Sequence, residues 1–282
     1  MNASRRPFFT VAICSIDAWR FAQASECYKA LLRDFPHEIV GIHDARSLAE
    51  GYNRALRRAR GDIVVFSHDD VLILDPAFAS KIARRLADGA FDMLGFVGTT
   101  RLVNDAWWGA GGNWLNGAVC HYHTKKMTLN VWNTDPWPVV GGIQAIDGLC
   151  MMSRRDTAEE IGFDEETFDG FHLYDLDFSY SAWRAGKKIG VCCDIPVIHA
   201  SAGRYDRVHE AFGRRFLAKH RDALPSDAQA VPRIAGPVGV FSTDRIMLES
   251  WRQDVFHRAS FALRRQVEAR TGDVAGSPML PR

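Results

Sequence analysis

Blocks of apolar residues alternate with amphipathic blocks along the amino-terminal part of the chain. Runs dominated by apolar residues at Phe8–Ser15, Glu38–His43 and Ile63–Phe66 are typical of buried strands. Between them, apolar residues recur at helical spacing from Phe21 to Phe35 and from Leu48 to Arg60. This strand–helix–strand–helix–strand order predicts a parallel sheet with right-handed crossovers.

Polar residues follow each of these three strands. Asp17 follows the first strand, Asp44 the second, and the run His68-Asp69-Asp70 the third. We expect them at one sheet edge, where open α/β sheets bind ligands and where carboxylates can hold a divalent cation against phosphates. The alternative is that the adjacent aspartates only cap the turn before the next helix. Neither a Rossmann fingerprint nor a P-loop follows the first strand, which argues against those nucleotide sites.

The later pattern predicts further elements of the same domain. They are a helix from Pro76 to Leu86, strands at Phe91–Val97, Ile143–Ser153, Ile189–Cys193 and Val197–His199, a helix from Asp175 to Gly186, and a basic helix from Arg204. We expect one domain over residues 1–222, a linker rich in proline and alanine at 223–240, and an amphipathic helix with a tail at 241–282. The last helix suits either a dimer contact or a membrane surface.

Two local features suggest a ligand. Five of the eight tryptophans, Trp108 among them, lie close together between glycines, and aromatic faces of this kind suit stacking on a sugar ring. The alternative is a satellite core beneath long loops. Asp147 and Gly148 interrupt an apolar run, which indicates a bulge or the close approach of a ligand.

Composition narrows the class of protein. Apolar residues make up 47% of the 282 positions and charged residues 24%, and the net charge of +1 offers no general attraction to nucleic acid. Six scattered cysteines indicate buried thiols in a reducing compartment. The sequence predicts no signal peptide and no apolar run of about 18 residues, so we expect a cytoplasmic protein. The basic segment Arg204–Arg215 suits contact with a lipid-linked anionic molecule or with the inner face of a membrane.

The stretch from Phe8 to Ala200 resembles the family-2-like glycosyltransferases with the GT-A fold. The resemblance rests on H-D-D-V after G-D, on D-G-L in a later strand, on Y-D-L-D-F opening a helix that ends in R-A-G, and on a histidine after the last strand. It implies an α/β fold with a mostly parallel central sheet flanked by helices. It also implies inverting transfer of a sugar from a nucleoside diphosphate, UDP above all, to a hydroxyl of a glycan or lipid-linked acceptor in surface polysaccharide assembly.

The resemblance also implies roles for single residues. It makes His68, Asp70 and His199 ligands of Mn²⁺ or Mg²⁺, places Asp17, Asp44 and Asp69 at the donor nucleotide, and places Asp147 on the acceptor side, with Asp175 as general base and Asp177 orienting the acceptor or capping its helix. The sequence departs from the family pattern at His68, where an acid is usual, at Tyr174, where glutamate is usual, and at Ser181, where a basic residue is common.

The implied chemistry needs these residue types. A cation beside the diphosphate stabilises the charge of the leaving group, and a carboxylate takes the proton of the attacking hydroxyl. One base without a protein nucleophile gives a single displacement with inversion. Two other classes stay open: a sugar nucleotidyltransferase, expected to carry a glycine-rich basic loop where Ser15-Ile16-Asp17 stands, and a non-catalytic glycan-binding relative.

Overall fold

The computed structural model describes residues 6–123, 126–132, 138–201 and 206–225. Its strands are β1 (Phe9–Cys14), β2 (His37–Ile42), β3 (Ile63–Ser67), β4 (Val71–Ile73), β5 (Met93–Gly95), β6 (Val97–Thr99), β7 (Leu115–His123), β8 (Lys126–Trp132), β9 (Val139–Val140), β10 (Ala145–Ile146), β11 (Cys150–Arg154), β12 (Ile189–Cys192) and β13 (Val197–His199). Its α-helices are α1 (Ala18–Leu32), α2 (Leu48–Arg58), α3 (Phe78–Ala87), α4 (Arg155–Ile161), α5 (Tyr174–Arg184) and α6 (Arg207–Lys219). The predicted C-terminal helix and almost all of the predicted linker lie outside the described residues.

The amino-terminal unit forms as the apolar pattern predicts. Strand β1 pairs in parallel with β2 on one side and with β3 on the other, and α1 and α2 are the intervening crossovers. Asp17 caps α1 by accepting hydrogen bonds from the backbone of Trp19 and Arg20, and Ser47 caps α2. The three strands therefore end at one edge, as expected.

The rest of the sheet is mixed, so the expectation of a mostly parallel sheet is wrong. The seven-stranded sheet has the order β2-β1-β3-β11-β5-β12-β9, in which β11 runs antiparallel to both of its neighbours. A second sheet has the order β10-β6-β7-β13-β4, with β8 paired to β7 and mostly antiparallel neighbours. Apolar runs show which strands are buried but leave the direction of pairing open.

The chain passes repeatedly from one sheet to the other. The predicted strand Phe91–Val97 divides after Gly95 into β5 and β6, and the predicted strand Ile143–Ser153 divides at Asp147–Leu149 into β10 and β11. At Gly117 in β7, φ is +113° and a Cβ atom would lie 2.0 Å from the carbonyl oxygen of Phe96, so only glycine fits this close approach. The residues between β3 and β4 make the same passage, which places His68–Asp70 at the seam.

An aromatic cluster fixes α5 against the seven-stranded sheet. The rings of Phe163 and Phe178 stack with centroids 4.1 Å apart, and Phe66 of β3 contacts both. Tyr52 of α2 joins this cluster and also packs against Tyr174, the first residue of α5. Burial of each large ring contributes about 2–3 kcal/mol. The start of α5 is therefore held firmly beside the end of β3.

The tryptophan-rich segment belongs mainly to the second sheet. Trp107 and Trp132 are 8% and 5% exposed, and their rings meet edge to face. These two residues match the core alternative rather than sugar stacking. Across the described residues, the longest helices are too short and too polar to span a bilayer.

Candidate active site

Three side chains that could bind a cation converge at the seam between the two sheets. His68 and Asp70 come from the turn between β3 and β4, and His199 ends β13. Strand pairing places His199 opposite Val71, and the backbone of Ala200 donates a hydrogen bond to the Asp70 carbonyl. One ligand atom from each of the three side chains lies within 4.8 Å of the other two. The expected metal-ligating residues are therefore brought together.

The spacing and chemistry of this cluster fit a divalent cation. Nδ1 of His68 and Oδ1 of Asp70 each lie 3.3 Å from Nε2 of His199. Neighbouring ligands of a six-coordinate ion with bonds of about 2.1 Å are about 3 Å apart, so little movement is needed. Imidazole suits ions such as Fe²⁺, Ni²⁺ and Zn²⁺, and carboxylate suits Mn²⁺ and Mg²⁺, so this mixed set of ligands can hold a divalent cation.

The charges of the three groups are set by burial and by one another. Burial and the neighbouring His199 lower the pKa of His68 to about 4, so its imidazole is neutral at pH 7. Burial works against ionisation of both other groups, but the hydrogen bond between them holds the pKa of Asp70 well below its ordinary value and raises the pKa of His199. The hydrogen bond to Asp70 therefore favours the protonated form of His199, and a bound cation would displace that proton.

Tyr174 contacts the far side of the His68 ring. The Tyr174 hydroxyl lies 2.7 Å from Nε2 of His68 and 3.5 Å from the carbonyl oxygen of Gly148. Burial raises the pKa of Tyr174 well above its ordinary value, so the hydroxyl keeps its proton. The contact joins the first residue of α5 to the cation cluster.

The backbone at Gly148 holds the predicted base. Its N–H donates a 2.7 Å hydrogen bond to Oδ2 of Asp175, and a Cβ atom at Gly148 would lie 2.5 Å from the Tyr174 hydroxyl and 2.6 Å from Cβ of Asp175. Glycine is thus required here because α5 approaches the backbone closely. This is the close approach that the interruption of the apolar run predicted, made by the protein's own helix.

Asp147 and Asp175 form a pair of interacting carboxylates. Asp147 accepts hydrogen bonds from the indole N–H of Trp107 at 3.1 Å and from the backbone of Leu149 at 2.9 Å. Burial and the negative charge of Asp147 raise the pKa of Asp175 to about 7. A carboxyl group with this pKa can accept a proton efficiently near neutral pH.

The three residues expected at the donor nucleotide have different surroundings. Asp69 accepts a 2.6 Å hydrogen bond from Ser15, and its Oδ1 lies 3.9 Å from Arg20. Asp17 serves as the cap of α1. Asp44 is exposed and pairs with Arg54 at 2.8 Å. Asp69 is thus next to the cation cluster, while Asp17 and Asp44 line the same edge farther along the sheet.

Asp177 and Trp108, which the sequence suggests for contacts with the sugar or the acceptor, both make contacts within the fold. Asp177 is 2% exposed. It contacts Lys219, the last residue of α6, and His220, which follows that helix. Trp108 is partly buried and packs edge to face on Trp107. Trp107, which the sequence did not single out, is the tryptophan that contacts Asp147.

Sequence reasoning also missed two polar partners of the cluster. Ser201 lies 3.0 Å from Nε2 of His199, and nothing in its sequence context marks it. Tyr174 was noted only as a departure from the family pattern, and its adjacency to Asp175 was the signal that could have led to it.

Comparison with known proteins identifies the family. A family model described as "Glycosyltransferase like family" matches residues 10–220. The chain belongs to this family. The streptomycin biosynthesis protein StrF of Streptomyces griseus is 29% identical over 171 residues, which are 59% of this chain and 57% of StrF. The chain thus matches little more than half the length of this curated relative.

Two solved structures are similar to this chain at low sequence identity. GalNAc-T7, solved with UDP, GalNAc and Mn²⁺, is 11% identical with a TM-score of 0.51, over 89% of this chain and 55% of its own. The mannosyltransferase PcManGT of Pyrobaculum calidifontis, solved with GDP-mannose and Mn²⁺, is 14% identical with a TM-score of 0.45, over 80% and 79% of the two chains. The match to GalNAc-T7 shows the fold of the GT-A glycosyltransferases, here with mixed rather than mostly parallel sheets.

Proposed function

We propose that this protein transfers a sugar from a nucleoside diphosphate to an acceptor hydroxyl with inversion, assisted by a divalent cation. The observation that carries the proposal is the position of Gly148. The N–H group of Gly148 donates a hydrogen bond to Asp175, and its carbonyl oxygen lies near the Tyr174 hydroxyl. That hydroxyl contacts His68 of the cation cluster. A base and a cation centre are thus neighbours at one seam of the fold.

On the donor side, His68, Asp70 and His199 would hold the cation beside the diphosphate. When bound, the cation stabilises the negative charge that grows on the departing diphosphate. Asp69 and Asp17 follow the ends of β3 and β1, where they are suited to contacts with the nucleoside. UDP is the nucleotide that we expect.

On the acceptor side, Asp175 takes the proton from the attacking hydroxyl. The acceptor oxygen then forms a bond to the anomeric carbon as the bond from that carbon to the diphosphate oxygen breaks, and the nucleoside diphosphate leaves. Attack occurs opposite the departing group, so the anomeric configuration inverts. The Gly148 N–H holds Asp175 in place through Oδ2 before the substrate arrives.

Two acceptor classes follow from different observations. The resemblance to family-2-like enzymes supports a glycan or lipid-linked acceptor in surface polysaccharide assembly at the inner face of a membrane. The relative StrF, named for streptomycin biosynthesis, supports a small hydroxylated acceptor of an antibiotic pathway. Both classes belong in the acceptor panel of an activity test.

The first test is calorimetric binding of UDP, GDP, CDP and dTDP, each with and without Mn²⁺. We expect one nucleotide to bind in a cation-dependent way, and Asp70→Ala to abolish that dependence. Asp34→Ala is the matched control, because Asp34 is exposed beyond the end of α1, at the opposite edge of the sheet. Cation-independent binding in the wild type would contradict the metal role but not the transferase.

The second test separates binding from chemistry. Asp175→Asn is expected to bind the nucleotide normally and to lose sugar transfer, whereas Asp156→Asn, in the first turn of α4, should keep both. Release of a nucleoside diphosphate supports the transferase, and release of pyrophosphate would support a nucleotidyltransferase. Absence of nucleotide binding and of donor hydrolysis in the wild type would favour the non-catalytic relative.

A further inference from the structure

Tyr174 and His68 make a contact that the transfer reaction does not require by itself. The hydroxyl of Tyr174 lies 2.7 Å from Nε2 of His68, the ring nitrogen that faces away from the cation cluster. Nδ1, the other ring nitrogen, faces Nε2 of His199 at 3.3 Å. The two nitrogens of His68 therefore have different partners on opposite sides of the ring.

The hydrogen-bond pattern selects one tautomer of His68 when a cation is bound. A cation at Nδ1 needs the lone pair of that nitrogen, so the ring proton must be on Nε2. Nε2 then donates to the oxygen of Tyr174, and the Tyr174 proton is directed to the carbonyl of Gly148, 3.5 Å away. Every polar atom along this path has a partner, which is the usual condition for a buried network.

The position of Tyr174 is set by the fold and leaves it little freedom. The side chain is 4% exposed, and its ring packs against Tyr52 and Phe163. Leu173, just before α5, has a left-handed backbone with φ of +60°, which costs about 1 kcal/mol or more for a residue with a Cβ atom. The surrounding packing therefore maintains a strained backbone immediately beside Tyr174.

From this geometry we infer that Tyr174 is a positioning residue that orients His68 as a nitrogen ligand of the cation. The inference rests on the cation role in the proposed function. Hydrogen bonds behind a metal-binding histidine fix the direction and the basicity of its ring, and their loss typically weakens binding 10- to 100-fold.

The alternative is that Tyr174 only fills the aromatic core and happens to touch His68. The two readings differ in what the hydroxyl does, because Tyr174→Phe keeps the buried ring and removes only the oxygen. Tyr52→Phe is the matched control: Tyr52 is a fully buried tyrosine in the same aromatic cluster, with its ring 5.8 Å from that of Tyr174.

The test measures binding of the metal alone, without a sugar donor. Wild type, Tyr174→Phe and Tyr52→Phe are titrated calorimetrically with Mn²⁺ and with Mg²⁺, and the Co²⁺ forms are compared by visible absorption. We expect the wild type to bind Mn²⁺. Tyr174→Phe should weaken Mn²⁺ at least 10-fold and change the Co²⁺ spectrum, with Tyr52→Phe unchanged.

The outcomes separate this inference from the function on which it rests. Equal Mn²⁺ affinity and equal Co²⁺ spectra in the wild type and Tyr174→Phe would overturn the positioning role while the cation centre stands. If the wild type binds no divalent ion, both this inference and the cation role fail. Nucleotide binding alone then tests the proposed transferase function. A far-ultraviolet spectrum of each variant confirms that the comparison is made on folded protein.

Discussion

Nε2 of His220 lies 2.7 Å from Oδ1 of Asp177, and both side chains are almost completely buried. Lys219 adds a second contact to the same carboxylate at 2.8 Å. Because Asp177 belongs to α5 and the other two residues lie at the end of α6, this cluster ties the two helices together. Its position favours a structural role for Asp177 over the expected contact with the acceptor.

Removal of this carboxylate should therefore destabilise the protein. Asp177→Ala leaves the buried His220 without its carboxylate partner, while Lys219 keeps its ion pair with Asp164. Breaking a buried pair in this way typically costs about 3–5 kcal/mol. Urea denaturation measures the loss. The control is Asp222→Ala, because Asp222 is 72% exposed in its pair with Arg184 and should cost less than about 1 kcal/mol. Similar losses in both variants would contradict the structural role of Asp177.

If Asp175 is the base of the proposed transfer reaction, activity should rise with pH on the acidic side of the pH profile. Asp175 must be ionised to accept a proton, and its pKa is raised to about 7 by burial and by Asp147. The acidic limb of kcat/KM should therefore have its midpoint near pH 7. In Asp147→Asn the limb should move to lower pH, because a negative neighbour is removed. If the acidic limb does not move in this variant, Asp147 is not a cause of the raised pKa of Asp175.

The raised pKa of Asp175 should also make the folded protein less stable as the pH rises. The folded state holds the Asp175 proton up to about pH 7, whereas an unfolded carboxyl loses it near pH 4. Between these values the native protein binds more protons, so its free energy of unfolding falls as pH rises. Asp175→Asn carries no such penalty. We expect this variant to match the wild type near pH 4 and to exceed its stability increasingly up to about pH 7, as measured by urea denaturation.

Gly148 offers a test of the close approach of α5. In Gly148→Ala the new methyl group would meet the Tyr174 hydroxyl and Cβ of Asp175 at distances below 3 Å. Displacement of the base should lower kcat at least about 100-fold. Gly141→Ala is the control, since a Cβ atom there would make an ordinary 3.4 Å contact with Phe91. If Gly148→Ala keeps full activity, Asp175 is not held in the way described.

The sequence was sufficient to predict the amino-terminal half of the fold. The runs that became β1, β2 and β3 are short, apolar and separated by clear amphipathic helices, so their parallel order followed from chain connectivity. The division of Phe91–Val97 between two sheets was not predictable in this way. A change of sheet requires a bend at Gly95 but no break in the apolar pattern.

The residue types of the candidate site were predictable from the sequence, but the contacts between those residues were not. Histidine and carboxylates after strand ends indicated a cation, and the fold brings His68, Asp70 and His199 together. The contact of His68 with Tyr174 depends on how α5 packs, because the two residues are far apart along the chain. Asp177 looked like a site residue for the same reason that Asp175 did, and only the position of α6 distinguishes them.

The cation cluster joins parts of the chain that are far apart in sequence. His68 lies in the turn between β3 and β4, and His199, 131 positions later, ends β13. In the proposed cation role, an ion held by both histidines would act as a removable cross-link between the two sheets. Its loss would then weaken the junction of the sheets as well as the proposed donor site.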